Sequence, residues 1–180
     1  KAYEIHKWLQ PVLEKIGFKA PPELQLEEGR QYKLAVLGFH RDASSLLYNL
    51  TETDPDLVKD TLIVDFNVAL HPAIAATGAT VKYGDLANPD TLHHLGLAET
   101  QVIVSTIPDD LLRGITNRQL VHVLREMAPH AAIIANAIAI DEIQKVYEAG
   151  ADYVYLNRFE AAWTLQRAVQ AGIEQEIDQF

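Results

Sequence analysis

The sequence contains no cysteine. That excludes a disulfide framework, a thiolate metal centre and a cysteine nucleophile. Basic residues are scarce: 15 Lys and Arg stand against 25 Asp and Glu, a formal charge of −10. A surface that neutralises a phosphate backbone needs a basic face, so nucleic acid is excluded as a partner. Long apolar runs are missing too. The longest, Ala131 to Ile140, is broken by Asn136 and is too short to span a bilayer.

What is present is the composition of a globular α/β protein, 48% apolar and 22% charged. At 180 residues it suits one domain with a short appendage. The charge is uneven. Lys1, Lys7, Lys15 and Lys19 outnumber Glu4 and Glu14 in the first 20 residues, and the rest of the chain is strongly acidic. Residues 3–16 carry Ile5, Trp8, Leu9, Val12, Leu13 and Ile16 at helical spacing, with Pro11 predicting a kink. Pro and Gly between 20 and 29 mark a linker, so a domain is expected over 31–175, a leader over 1–30 and a tail over 176–180.

Within the domain, apolar strands alternate with amphipathic segments. Strands are expected at 33–38, 61–66, 80–83, 101–105, 131–135 and 152–156. Between them lie a helix opening at Asp42, a turn at 53–56, and helices near 68–77, 89–95, 110–127 and 139–148. A long final helix is expected over 158–175. Two βαβαβ halves in this order predict a Rossmann-like, doubly wound parallel sheet of six strands, order 3-2-1-4-5-6, with an N-terminal helical leader.

Ligands bind such sheets beyond the carboxyl ends of the strands. After strand one come Gly38, Phe39, His40 and Arg41, leading into a helix whose N-terminus favours a phosphate. Of the dinucleotide fingerprint only Gly38 survives, with His40 and Ala43 at the second and third glycine positions. After strand two, Asp65, followed by Phe66 and Asn67, is placed to hold ribose hydroxyls and to repel a 2′-phosphate. After strand three, Asp85 is placed where an adenine amino group could donate to it; after strand four, Ser105, Thr106 and Ile107 are placed to line the pocket. A side chain at His40 crowds a pyrophosphate, while His40 and Arg41 together suit a terminal phosphate. AMP or ADP is therefore favoured over NAD(H). Tyr3 and Lys7 have a dehydrogenase-like spacing but precede the domain, and Asp109 and Asp110 are expected to cap a helix. His93, His94 and His122 have no metal-ligand spacing and are expected on solvated helix faces.

Gly38, Val64-Asp65, Tyr83-Gly84-Asp85-Leu86-Ala87, Leu95-Gly96-Leu97, Val102-Ile103, Asp109-Asp110, Asn117, Ile133-Ile134-Ala135 and Ala149-Gly150-Ala151-Asp152-Tyr153-Val154 together resemble an RCK (TrkA-N) domain. The likeness covers about residues 31–175. Residues 1–30 resemble the juxtamembrane exit of a Kef-type monovalent cation:proton antiporter, in keeping with a basic, Trp-bearing flank and a chain that begins at Lys1. The resemblance implies a non-catalytic regulatory domain on the cytoplasmic face of the bacterial inner membrane. It implies binding of an adenine nucleotide (NAD(H), AMP, ADP or ATP) and gating of the antiporter in the same chain. Gly38 to Arg41 would cradle phosphate, Asp65 the ribose, and Asp85 with Leu86 the adenine. Asn136 stands where glutathione-gated antiporters tend to have Arg, so glutathione control is not expected. Phe159, Ala162, Trp163, Leu165, Gln166 and Val169 form an apolar stripe on the last helix, suited to a homodimer interface. Two other readings remain open: an assembly module whose pocket binds nothing, and an NAD-linked oxidoreductase.

Overall fold

The computed structural model describes residues 30–174, with the side chains of Pro89 and Asp90 left aside. The leader expected over 1–30 and the tail over 176–180 lie outside these residues, apart from Arg30. Six strands form one parallel sheet: β1 (Leu34–Leu37), β2 (Thr61–Val64), β3 (Thr80–Lys82), β4 (Val102–Ser105), β5 (Ala132–Asn136) and β6 (Tyr153–Tyr155). Their spatial order is β3-β2-β1-β4-β5-β6, as the alternation of apolar runs predicts. β1 lies at the centre, in register with Thr61 to Val64 on one side and Val102 to Ser105 on the other.

Successive side chains on a strand point to opposite faces. Ala35, Leu37, Leu62, Val64 and Ile103 therefore enter one core, and Leu34, Val36, Ile63 and Val104 the other. Both faces bury apolar residues, which is why these strands read as unbroken hydrophobic runs. The helices divide between the two cores. α1 (Arg41–Thr53), α2 (Pro55–Lys59) and α3 (His71–Ala75) place Ala43, Leu47, Val58 and Ile74 on one face. α4 (Pro89–His93), α5 (Asn117–Met127) and α6 (Ile140–Glu148) cover the other, through Leu92, Leu120, Val121, Leu124 and Val146. α7 (Asn157–Ile173) follows β6, and none of its residues is buried.

Three expectations are corrected. The turn at 53–56 holds the start of a helix, because the Asp54 carboxylate accepts the Leu57 N–H and Pro55 is preset for a first helical turn. Strand two stops at Val64 instead of Phe66: the Asp65 carboxylate accepts the Asn67 N–H, turning the chain. The helix expected from 110 starts at Asn117. Gly114 lies in the left-handed region (φ +79°), and Thr116 with Gln119 forms a capping box that fixes the first turn.

One side chain ties three elements at the far edge of the sheet. Arg125, in the last turn of α5, donates to the carbonyls of Pro129, Ala131 and Gly150 and to the Asp152 carboxylate at 2.6 Å. Partial burial pushes the Asp152 carboxyl up, but the Ile133 N–H and the Arg125 guanidinium outweigh it and hold it below the usual carboxylate range. A depressed folded-state value stabilises the fold above the ordinary carboxylate range, and that contribution is lost as pH falls through the folded value. Replacing Arg125 by Met is expected to cost about 2–3 kcal/mol in urea unfolding at pH 7. The gap to wild type should narrow in acid, where Asp152 is protonated in both proteins.

Candidate functional site

The carboxyl ends of the strands open into a cavity of about 630 Å³, beside the switch point where β1 separates β2 from β4. The side formed by the loop after β1 begins at Gly38. That residue has φ +82°, and a Cβ there would sit 2.0 Å from Ile107 Cγ1, so only glycine fits without displacing the side chain after β4. Gly84 has an equivalent role after β3, where a Cβ would meet Val64 Cγ1 at 2.4 Å. His40 has ordinary extended dihedrals (φ −119°, ψ −157°), so the position needs no glycine, and its exposed imidazole stands at the N-terminus of α1.

Asp65 is 4% exposed. Its Oδ2 accepts the Phe39 N–H at 2.7 Å, and its Oδ1 accepts the Asn67 N–H at 2.7 Å. Its backbone N–H donates to the Lys82 carbonyl, and its own carbonyl meets the buried His71 ring at 3.1 Å. The carboxylate thus joins the loop after β1 to the loop after β2. Each oxygen keeps a further acceptor site beyond the one already used.

The cavity lining brings together Phe39, His40, Asp65, Phe66, Asn67, Asp85 and Leu86 from the residues singled out by sequence, with Ile107 opposite. Gly38 forms the turn beneath and is not on the lining. Arg41 is exposed and also off the lining, its guanidinium without a partner among the described residues. Thr106 faces elsewhere. Its hydroxyl donates to the Gly38 carbonyl at 2.9 Å, and its side chain borders a second groove, on the α1 face of the sheet. The lining also includes Tyr83, Asp110, Leu111, Leu112 and Arg113, which sequence reasoning did not assign to the site. The Leu111-Leu112-Arg113-Gly114 run reads as part of an over-long helix, and its closing glycine is the signal for a loop.

That loop, 106–116, is anchored from below. Ser105 Oγ donates to Asn117 Oδ1 at 2.6 Å, and Asn117 Nδ2 donates to the Ile107 carbonyl and to Asp109 Oδ1, both at 2.8 Å. Asp109 also accepts the Asn117 N–H at 2.6 Å, reaching back across the loop to the first turn of α5, whose N-cap is Thr116 instead of the expected Asp109 and Asp110. Leu112 and Ile115 pack against the core.

The second groove has a volume of about 690 Å³. One wall is Leu46 and Leu50 of α1; the other is Val102, Val104 and Ile134 of the sheet. At its carboxyl end Asp42 accepts from Tyr155 Oη at 3.2 Å and Asn157 Nδ2 at 2.7 Å, tying α1 to the root of α7. Burial and the Asp42 carboxylate both push the Tyr155 phenol well above its ordinary value, so it stays protonated and donating.

Asp65 is expected to support the fold with no ligand present. Asp65→Asn leaves one acceptor for two N–H donors and sets an amide donor against the other. Urea unfolding of the ligand-free variant should show a loss of about 1–3 kcal/mol.

Among known proteins, the chain is 34% identical over 85 residues to the glutathione-regulated potassium-efflux system protein KefC of Escherichia coli. That match takes 47% of this chain but 13% of the length of its relative. Among solved structures it resembles the TrkA-N domain of the inner membrane protein ybaL from Escherichia coli, with a TM-score of 0.64 and 23% identity over 76% of this chain and 96% of that one. The GsuK channel bound to NAD gives a TM-score of 0.59 at 19% identity, over 85% of this chain and 26% of that one. GsuK bound to ADP gives 0.60 at 19%, over 82% and 37%. The TrkA-N family profile matches residues 34–157, from the first strand to the root of the last helix, and the chain belongs to the TrkA-N domain family.

Proposed function

We propose that this domain senses an adenine nucleotide on the cytoplasmic side of a bacterial inner membrane and regulates a monovalent cation:proton antiporter to which it is joined. The observation that carries the reading is the cavity itself. Asp65, Asp85 and the N-terminus of α1 stand around one space at the carboxyl ends of parallel strands, where this architecture takes nucleotides. The relation to KefC supports a role in potassium or cation transport, and the GsuK structures hold NAD and ADP on the same fold. AMP is the favoured ligand, with NAD(H) second, because His40 lines the cavity at the helix N-terminus and takes space that a second phosphate would need. A regulatory ligand acts only through different affinity for two states, and a coupling of about 1–3 kcal/mol suffices.

A thermal-shift panel of AMP, ADP, ATP, NAD, NADH and NADP on the 180-residue chain tests this. A ligand at 100 times its dissociation constant adds about 2.7 kcal/mol, a shift of roughly 5–10 °C. AMP is expected to give the largest shift. No shift with any of the six would leave an assembly module, a reading favoured by the two N–H groups that Asp65 already accepts. Turnover of NADH would reinstate the oxidoreductase.

The regulatory unit is proposed to be a homodimer through α7. Its Phe159, Trp163, Leu165, Val169 and Ile173 are 49–71% exposed. Among the described residues, α7 buries none of its own side chains. A parallel sheet is normally covered on both faces, so the α7 of a second copy is the proposed cover. Trp163→Asp is expected to halve the mass in light scattering without changing the urea midpoint of the isolated subunit. A wild-type chain that is a clean monomer at high concentration would remove the interface.

A further inference from the structure

Sequence places the cation for a bound phosphate at Arg41, but its side chain is off the cavity lining. The loop between β4 and α5 supplies another. Arg113 lines the cavity, is exposed, and has no hydrogen-bond or ion-pair partner for its guanidinium among the described residues. Among the described residues it is the one permanently charged cation on that lining, which it shares with the carboxylates of Asp65, Asp85 and Asp110. We propose that Arg113 is the phosphate-reading residue of this cavity, and that the surrounding carboxylates select a ligand of low charge. This rests on the nucleotide reading above and adds to it the residue and the charge class.

The support of the loop favours the assignment. Leu112 and Ile115, on either side, pack against the core, and the Asn117–Asp109 pairing holds the base of the loop. Gly114, in the left-handed region, brings the loop against the strand-three side of the cavity, where its Cβ position is 3.9 Å from Ala87 Cβ. The backbone at Arg113 is thus held on both sides, so the ordering left for a ligand to impose is that of the arginine side chain. A guanidinium is also the side chain best matched to two phosphate oxygens at once. Among the described residues, three carboxylates against one guanidinium leave the wall acidic. Each phosphate added beyond the one that Arg113 meets adds repulsion, which places ATP below AMP.

The test is calorimetry of AMP, ATP and adenosine on wild type, Arg113→Gln, Arg41→Gln and Asp110→Asn, with melting curves to establish that each variant is folded. Arg113→Gln is expected to weaken AMP by about tenfold or more and to leave adenosine within twofold. Arg41→Gln should leave AMP within twofold. Asp110→Asn should tighten ATP more than AMP. The assignment is overturned if Arg113→Gln leaves AMP unchanged, or if adenosine weakens equally, which would make Arg113 a support for the base. A wild type that binds adenosine and AMP equally also overturns it while preserving a nucleoside site. Failure of all three ligands on wild type removes the nucleotide reading itself.

Discussion

A buried carboxylate at the end of the second strand receives two backbone N–H groups from two different loops, and the layout of the site depends on it. Asp65 reaches Phe39 on one side and Asn67 on the other, both at 2.7 Å. Ionised, an aspartate offers acceptors only, so both oxygens can be used in this way without a competing donor. Hydrogen bonds to a charged acceptor are the strong ones. The loop after β1 therefore lies against the loop after β2 before any ligand is present. A ribose at this position would find a carboxylate already oriented.

The end of β4 has an equally specific placement. Thr106 and Ile107 are neighbours just past the end of β4, and their side chains border different faces of the sheet. Ile107 fills the space over Gly38 that a Cβ would take and borders the cavity at the carboxyl ends of the strands. Thr106 donates to the Gly38 carbonyl and borders the groove on the α1 face. Both residues grip the same glycine. The turn that follows β1 is thus shared by the cavity and the groove described above.

The sheet was legible because its signal is simple. A strand buried on both faces reads as a short apolar run, and six such runs, with helical spacing between them, leave few topologies. The family resemblance was legible on the same residues, since glycines such as Gly38 and Gly84 mark places where backbone and side chain meet too closely for a Cβ. The loop before α5 was not. Asp109, Asp110, Leu111 and Leu112 are compatible with a helix, and what breaks it is tertiary: a left-handed Gly114 and an Asn117 side chain held by Asp109 and by the Ile107 carbonyl. Leu111, Leu112 and Arg113 consequently entered the cavity unannounced. The two engaged oxygens of Asp65 were equally hidden, because spacing along the chain reports which residue stands at a strand end and not which N–H groups lie around it.

The central place of β1 has a consequence for how the chain assembles. Its first neighbour, β2, follows after one helical excursion, but its second, β4, pairs only once Val102 to Ser105 exist. Until then the middle strand of the mature sheet is an edge, with a row of unpaired N–H and C=O groups along an apolar ribbon. Such edges are where nascent chains associate wrongly, and non-local parallel pairing is slow to close. The half of the chain made first is consequently the half most in need of protection during synthesis.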